Sequence, residues 1–80
     1  MKKKIFRKPI VPGTEFKAPA NITAGYQQTR GEFSFWYEEG AQDNSSYMIV
    51  ATGHDFPAHG SLIQTIIMPD GFHVFHLIQL

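Results

Sequence analysis

The chain alternates apolar and polar residues in short runs, and glycine or proline interrupts those runs every few positions. No window places apolar residues at i, i+3, i+4 and i+7 between caps, so helices are not expected. Strands are expected instead, at residues 3–8, 14–17, 22–28, 32–38, 47–52, 61–68 and 72–80. Pro9, Pro12 and Gly13 are read as the end of the first run. The short connection Thr29-Arg30-Gly31 reads as the turn of one hairpin. Pro69-Asp70-Gly71 reads as the turn of another, with proline suited to position i+1 and glycine to the left-handed position. The polar stretch 39–46 reads as a mobile loop.

Two runs carry faces worth separating. In the fourth, Phe33, Phe35 and Tyr37 share one face, while Ser34, Trp36 and Glu38 share the other. In the last, Phe72, Val74, His76, Ile78 and Leu80 alternate with His73, Phe75, Leu77 and Gln79. Both of its faces are largely apolar. One is therefore expected to meet the rest of the domain and the other a second subunit, with Phe75 and Leu77 taken as the outward pair. The fold expected is all-β: a small antiparallel sandwich or rolled sheet of about six strands, in a single domain over residues 1–80, oligomeric through residues 61–80.

Composition sharpens the oligomer expectation. A chain of 80 residues without cysteine has neither disulfides nor thiolate metal sites to reinforce a marginal core. Seven basic and seven acidic residues cancel, which argues against a duplex nucleic-acid partner. No run approaches the ~18 apolar residues of a membrane helix. Lys2, Lys3, Lys4, Arg7 and Lys8 do not lead into a signal-type apolar core, so a soluble, cytoplasmic protein is expected.

The candidate chemistry centres on Thr52-Gly53-His54, at the end of an apolar strand. Glycine admits close backbone approach, threonine offers a hydroxyl, and histidine adds a donor or base. The competing reading is a strand corner, where Gly53 marks a bulge and its neighbours satisfy local backbone groups. A metal site is not expected: His73 and His76 are three apart and point to opposite sides of a strand. No elbow surrounds Ser45, Ser46 or Ser61, and Glu38-Glu39 sit side by side in a loop, so nothing marks an enzyme. No cofactor is expected. Trp36 and Tyr26 are candidate stacking residues, with Arg30 at the hairpin tip as the anion contact and Arg7 as its substitute.

Several segments together resemble a family of small proteins common in bacteriophage genomes. They are Ile5-Phe6-Arg7-Lys8, Trp36, Ala51-Thr52-Gly53-His54-Asp55-Phe56-Pro57, Leu62-Ile63-Gln64-Thr65 and His73-Val74-Phe75, in that order. Ala51 departs from the family's usual glycine, which weakens a glycine-built anion nest, and the chain runs on to Leu80, which suggests an added interface strand. The resemblance implies a phage origin and a β-rich fold. By analogy with other small phage proteins it further suggests a counter-defence role in the host cytoplasm. The expected function is sequestration of a nucleotide-derived immune signal, a cyclic dinucleotide or ADP-ribose derivative. Thr52, Gly53, His54, Arg30, Trp36, Tyr26 and Arg7 are its candidate ligand-binding residues. The alternatives are an inhibitor that binds a host defence protein, a phage structural or assembly protein, and a phosphodiesterase using His54 as acid or base.

Overall fold

The computed structural model describes residues 1–80. It has no helix and seven strands: β1 (Ile5–Ile10), β2 (Phe16–Ala18), β3 (Thr23–Gln27), β4 (Glu32–Glu38), β5 (Ser45–Ala51), β6 (Ser61–Ile67) and β7 (Val74–Gln79). They form two antiparallel sheets, one ordered β1-β4-β3 and the other β2-β5-β7-β6. The expected antiparallel β fold is present, and its seven strands fall one on each of the seven runs named above, against a total of about six expected.

The two turn motifs do what their residues allow. Arg30 and Gly31 backbone amides both donate to the Gln27 carbonyl, and Gly31 sits at φ +65°. In the second hairpin, the Gly71 amide donates to the Met68 carbonyl at 2.9 Å. The Asp70 carboxylate accepts from the Phe72 and His73 amides at 2.8 and 3.0 Å, fixing the turn from inside.

The sequence boundaries shift where pairing decides. Pro9 lies within β1, opposite Ser34, because β1 is an edge strand and a missing N–H can face away from β4. Ser45 and Ser46, expected in the polar loop, open β5 because Ala18 and Lys17 of β2 pair with them.

The core lies between the sheets. Phe33, Phe35, Ala24 and Ile10 of the three-stranded sheet face Tyr47, Ile49, Leu77 and Ile66 of the other. Phe33 and Phe75 meet edge to face across the gap at 4.8 Å, a geometry that the ring quadrupoles favour. Phe16 stacks on both Phe35 and Tyr47, and the Tyr47 hydroxyl donates to the Pro19 carbonyl. This overturns the choice of Phe75 and Leu77 as the outward pair of the last strand. Leu77 is wholly buried and Phe75 packs on Phe33, so Val74, His76 and Ile78 are the outward set. Alternation alone cannot give the sign when both faces are apolar.

Candidate functional site

Register places the outward residues of the four-stranded sheet in rows. Met48, Ile78 and Leu62 form one row, Val50, His76 and Thr65 the next, and Val74 and Ile67 pair beyond them. The segment after β5 folds back over the first two rows. Its start is a turn in which the His54 amide donates to the Ala51 carbonyl at 3.1 Å and Gly53 takes φ +86°. That φ is what requires glycine, since a Cβ there would meet nothing within 4 Å. Gly60 is needed for the opposite reason. A Cβ at Gly60 would stand 2.7 Å from Ile78 Cγ2 and 3.1 Å from the Phe56 ring. This close seating leaves Ile78 only 1% exposed although it points away from the core.

Under the turn lies a depression of about 230 Å³. Val50, Leu62, Ile78 and Phe56 give it an apolar surface, and Thr52, His54 and His76 give it a polar side. His76 is held at both ring nitrogens: Nε2 is 2.7 Å from Thr52 Oγ1 and Nδ1 is 3.1 Å from Thr65 Oγ1. Thr52 Oγ1 also donates to the Val74 carbonyl at 3.2 Å. A hydroxyl has one proton, so with that proton on Val74 it accepts from His76 Nε2–H. The neutral ring is then an acceptor at Nδ1, where Thr65 donates. The polar chain Thr65–His76–Thr52–Val74 is internally satisfied. The His54 ring is exposed and makes no hydrogen bond within the molecule, so it is free to meet a ligand at this depression.

His76 was absent from the sequence-derived set, yet a signal for it existed. Met68 and His73 bracket the Pro69-Asp70-Gly71 turn, and counting outward from them pairs Thr65 with His76. Nothing in the sequence announced that Phe56 would fold onto the same spot.

The other candidates lie elsewhere. Trp36 is on the outer face of the three-stranded sheet, where its ring covers Gly25 at 3.5 Å from a would-be Cβ. It lines a separate depression of about 210 Å³ with Pro19, Asn21 and Thr23. Tyr26 faces the opposite way from Trp36, edge-on to Phe33 at 5.2 Å. Arg7 is committed: Nη1 donates to Glu32 Oε1 at 2.9 Å and to Ser34 Oγ at 2.8 Å, and Ser34 in turn donates to Gln27. Arg30 is exposed at the β3–β4 tip, and its guanidinium makes no hydrogen bond or ion pair. The structure thus brings Thr52, Gly53 and His54 together with His76, and leaves Trp36, Tyr26, Arg7 and Arg30 outside that depression.

At the β6–β7 turn, His73 Nδ1 lies 2.5 Å from Asp70 Oδ2. The His73 backbone amide, the His73 ring and the Phe72 amide together lower the Asp70 carboxyl from 3.8 to about 2. No helix is long and apolar enough to cross a membrane.

Among known proteins, no curated sequence and no solved structure matches this chain. One family model does match, over residues 1–80, described as Domain of unknown function (DUF7352). The depression framed by Thr52, His54 and His76 is accordingly a feature of a chain that belongs to the DUF7352 family.

Proposed function

We propose that this protein is a binding module that captures a nucleotide-derived ligand, a cyclic dinucleotide or an ADP-ribose derivative, at the Thr52–His54–His76 depression. The phage counter-defence setting and the host cytoplasm rest on the resemblance of the sequence segments described above. The observation that carries the reading is the depression itself. Its apolar surface suits the face of a base, its volume of about 230 Å³ suits a base with part of a ribose, and the unpartnered His54 ring supplies a directional polar contact. Its lining contains no lysine or arginine, so a phosphate would lie at the mouth and meet a cation from outside the depression. Arg30, exposed at the β3–β4 tip of the other sheet with its guanidinium unpaired, takes that role only by reaching across from a neighbouring subunit.

Capture is favoured over turnover. Acid–base chemistry on a phosphodiester needs two groups able to exchange protons with the substrate. Here Thr52 and His76 are bound to each other and to Val74 and Thr65, which leaves His54 alone. A second reading, an inhibitor of a host protein, is favoured by β1. This edge strand exposes Ile5 and Phe6 and follows Lys2, Lys3 and Lys4, a basic and apolar edge suited to strand addition by an acidic partner.

Incubation with a panel of cyclic dinucleotides and ADP-ribose derivatives, followed by denaturation, separates the readings. Ligand lost from solution and recovered intact supports capture. Ligand converted to product means catalysis. No loss across the panel removes the nucleotide reading and leaves the protein partner.

A further inference from the structure

We propose that the depression beside Trp36, on the outer face of the three-stranded sheet, is a second binding site and takes a guanidinium group. It lies on the other sheet from the Thr52–His54–His76 depression and does not depend on it. Alternation along β4 puts Trp36 and Glu38 on one face, two residues apart. Register places Thr23 across from Trp36 on one side, and Ile5 across from Glu38 on the other. Asn21 enters from the β2–β3 connection at φ +63°, a left-handed conformation that asparagine tolerates. The Pro19 carbonyl next to it accepts from the buried Tyr47 hydroxyl, which ties that wall to the core. Together these residues line a volume of about 210 Å³.

The electrostatics select a cation. Glu38 is the one charged residue in the lining, and its carboxylate joins neither of the molecule's two ion pairs. Arg7, beside Trp36 on β1, is turned to Glu32 and Ser34, and Lys8 lies over Tyr37 on the opposite face. The negative face of an indole adds to the carboxylate, so a cation gains from both groups and an anion is repelled by both. A guanidinium fits better than an ammonium. It is flat, stacks on aromatic rings, is weakly hydrated and offers a fork of N–H donors. Glu38 accepts two of these, and the side-chain oxygens of Asn21 and Thr23, which make no hydrogen bond within the molecule, accept others. The Trp36 ring rests over Gly25, 3.5 Å from a would-be Cβ, so the aromatic wall is in place before a ligand arrives.

NMR titration of the amide and indole N–H signals with Nα-acetyl-arginine amide tests this. Millimolar binding is expected, with shifts at the Trp36 indole and at the Asn21, Thr23 and Glu38 amides. Nα-acetyl-citrulline amide keeps the shape without the charge, and Nα-acetyl-lysine amide keeps the charge without the fork. Both are expected to bind about tenfold more weakly or worse. Methylguanidinium separates the sources: affinity equal to that of the arginine amide assigns the site to the free ion, and weaker binding assigns it to an arginine side chain on a peptide. Glu38→Gln should weaken the arginine amide by about tenfold or more, the worth of one charge-assisted contact. Glu39→Gln removes the same charge one residue away, outside the lining, and should leave binding unchanged. Both glutamates are exposed, so the fold should survive either change. No shift at about 50 mM arginine amide, equal binding of the citrulline or lysine analogue, or equal losses from the two glutamate variants overturns the proposal.

Discussion

The side-chain amide of Gln64 pairs with both backbone groups of Ala24. Nε2 donates to the Ala24 carbonyl at 2.5 Å and Oε1 accepts from the Ala24 amide at 3.1 Å. Ala24 lies on β3, an edge of the three-stranded sheet, and a side chain of β6 thus stands where a neighbouring strand would. The two sheets are joined at this margin by hydrogen bonds as well as by the core. Gln64→Leu keeps the bulk and removes both bonds, leaving two backbone groups of the buried Ala24 unpaired. A loss of about 1–3 kcal/mol is expected, read as a lower urea midpoint with an unchanged slope. An unchanged midpoint would mean that water replaces the amide without cost.

Gly60→Ala should distort the roof of the depression. The added Cβ would fall 2.7 Å from Ile78 Cγ2, and Ile78 is wedged against its surroundings. Overpacking of this kind costs about 1–3 kcal/mol. Thermal unfolding measures the cost, and amide shifts at Phe56 and Ile78 should move with it. Gly53→Ala meets no atom and should be penalised only through its φ of +86°.

Arg7 ties three strands: its own β1, and β4 and β3 through Ser34, Glu32 and Gln27. Arg7→Ala leaves the buried Ser34 hydroxyl with Gln27 alone. The ion pair to Glu32 is partly exposed and contributes little. The expected loss is therefore that of a hydrogen bond, about 1 kcal/mol, and nearly independent of salt. A loss that vanished in 1 M salt would show that the ion pair dominates.

Acid should act at the β6–β7 turn. The Asp70 carboxyl titrates at about 2 in the folded chain against 3.8 ordinarily, because the ionised form accepts the His73 and Phe72 amides. A depressed folded value contributes stability above pH 3.8 that is lost as pH falls toward 2. Asp70→Asn should flatten the stability profile across that window. Carboxyl NMR titration of the wild type supplies the direct check, and an Asp70 midpoint near 3.8 would contradict the turn geometry.

The sequence held the local grammar of this fold and withheld its long-range signs. Pro69-Asp70-Gly71 and Thr29-Arg30-Gly31 were legible because a turn is decided by the φ of a few adjacent residues. The strand alternation in 61–67 misleads. Regular alternation would put Leu62, Gln64 and Ile66 on one face, and the bulge after Leu62 instead turns Gln64 and Ile66 inward and Thr65 outward with Leu62. The candidate site was half legible for the same reason. Thr52, Gly53 and His54 are neighbours in the chain and stay together. Trp36 belongs to the other sheet, and Tyr26 is turned to the opposite face from Trp36, facts of sheet membership that no local pattern records.

Amide NMR titration of the wild-type chain with the nucleotide panel tests the central claim most directly. At least one cyclic dinucleotide or ADP-ribose derivative is expected to shift Thr52, Gly53, His54, Leu62, His76 and Ile78 with a dissociation constant below millimolar. His54→Ala should weaken that binding by about tenfold to a hundredfold, the worth of one charge-assisted or well-directed contact. Shifts confined to Trp36, Tyr26 or β1, or no shift with any member of the panel, would contradict it.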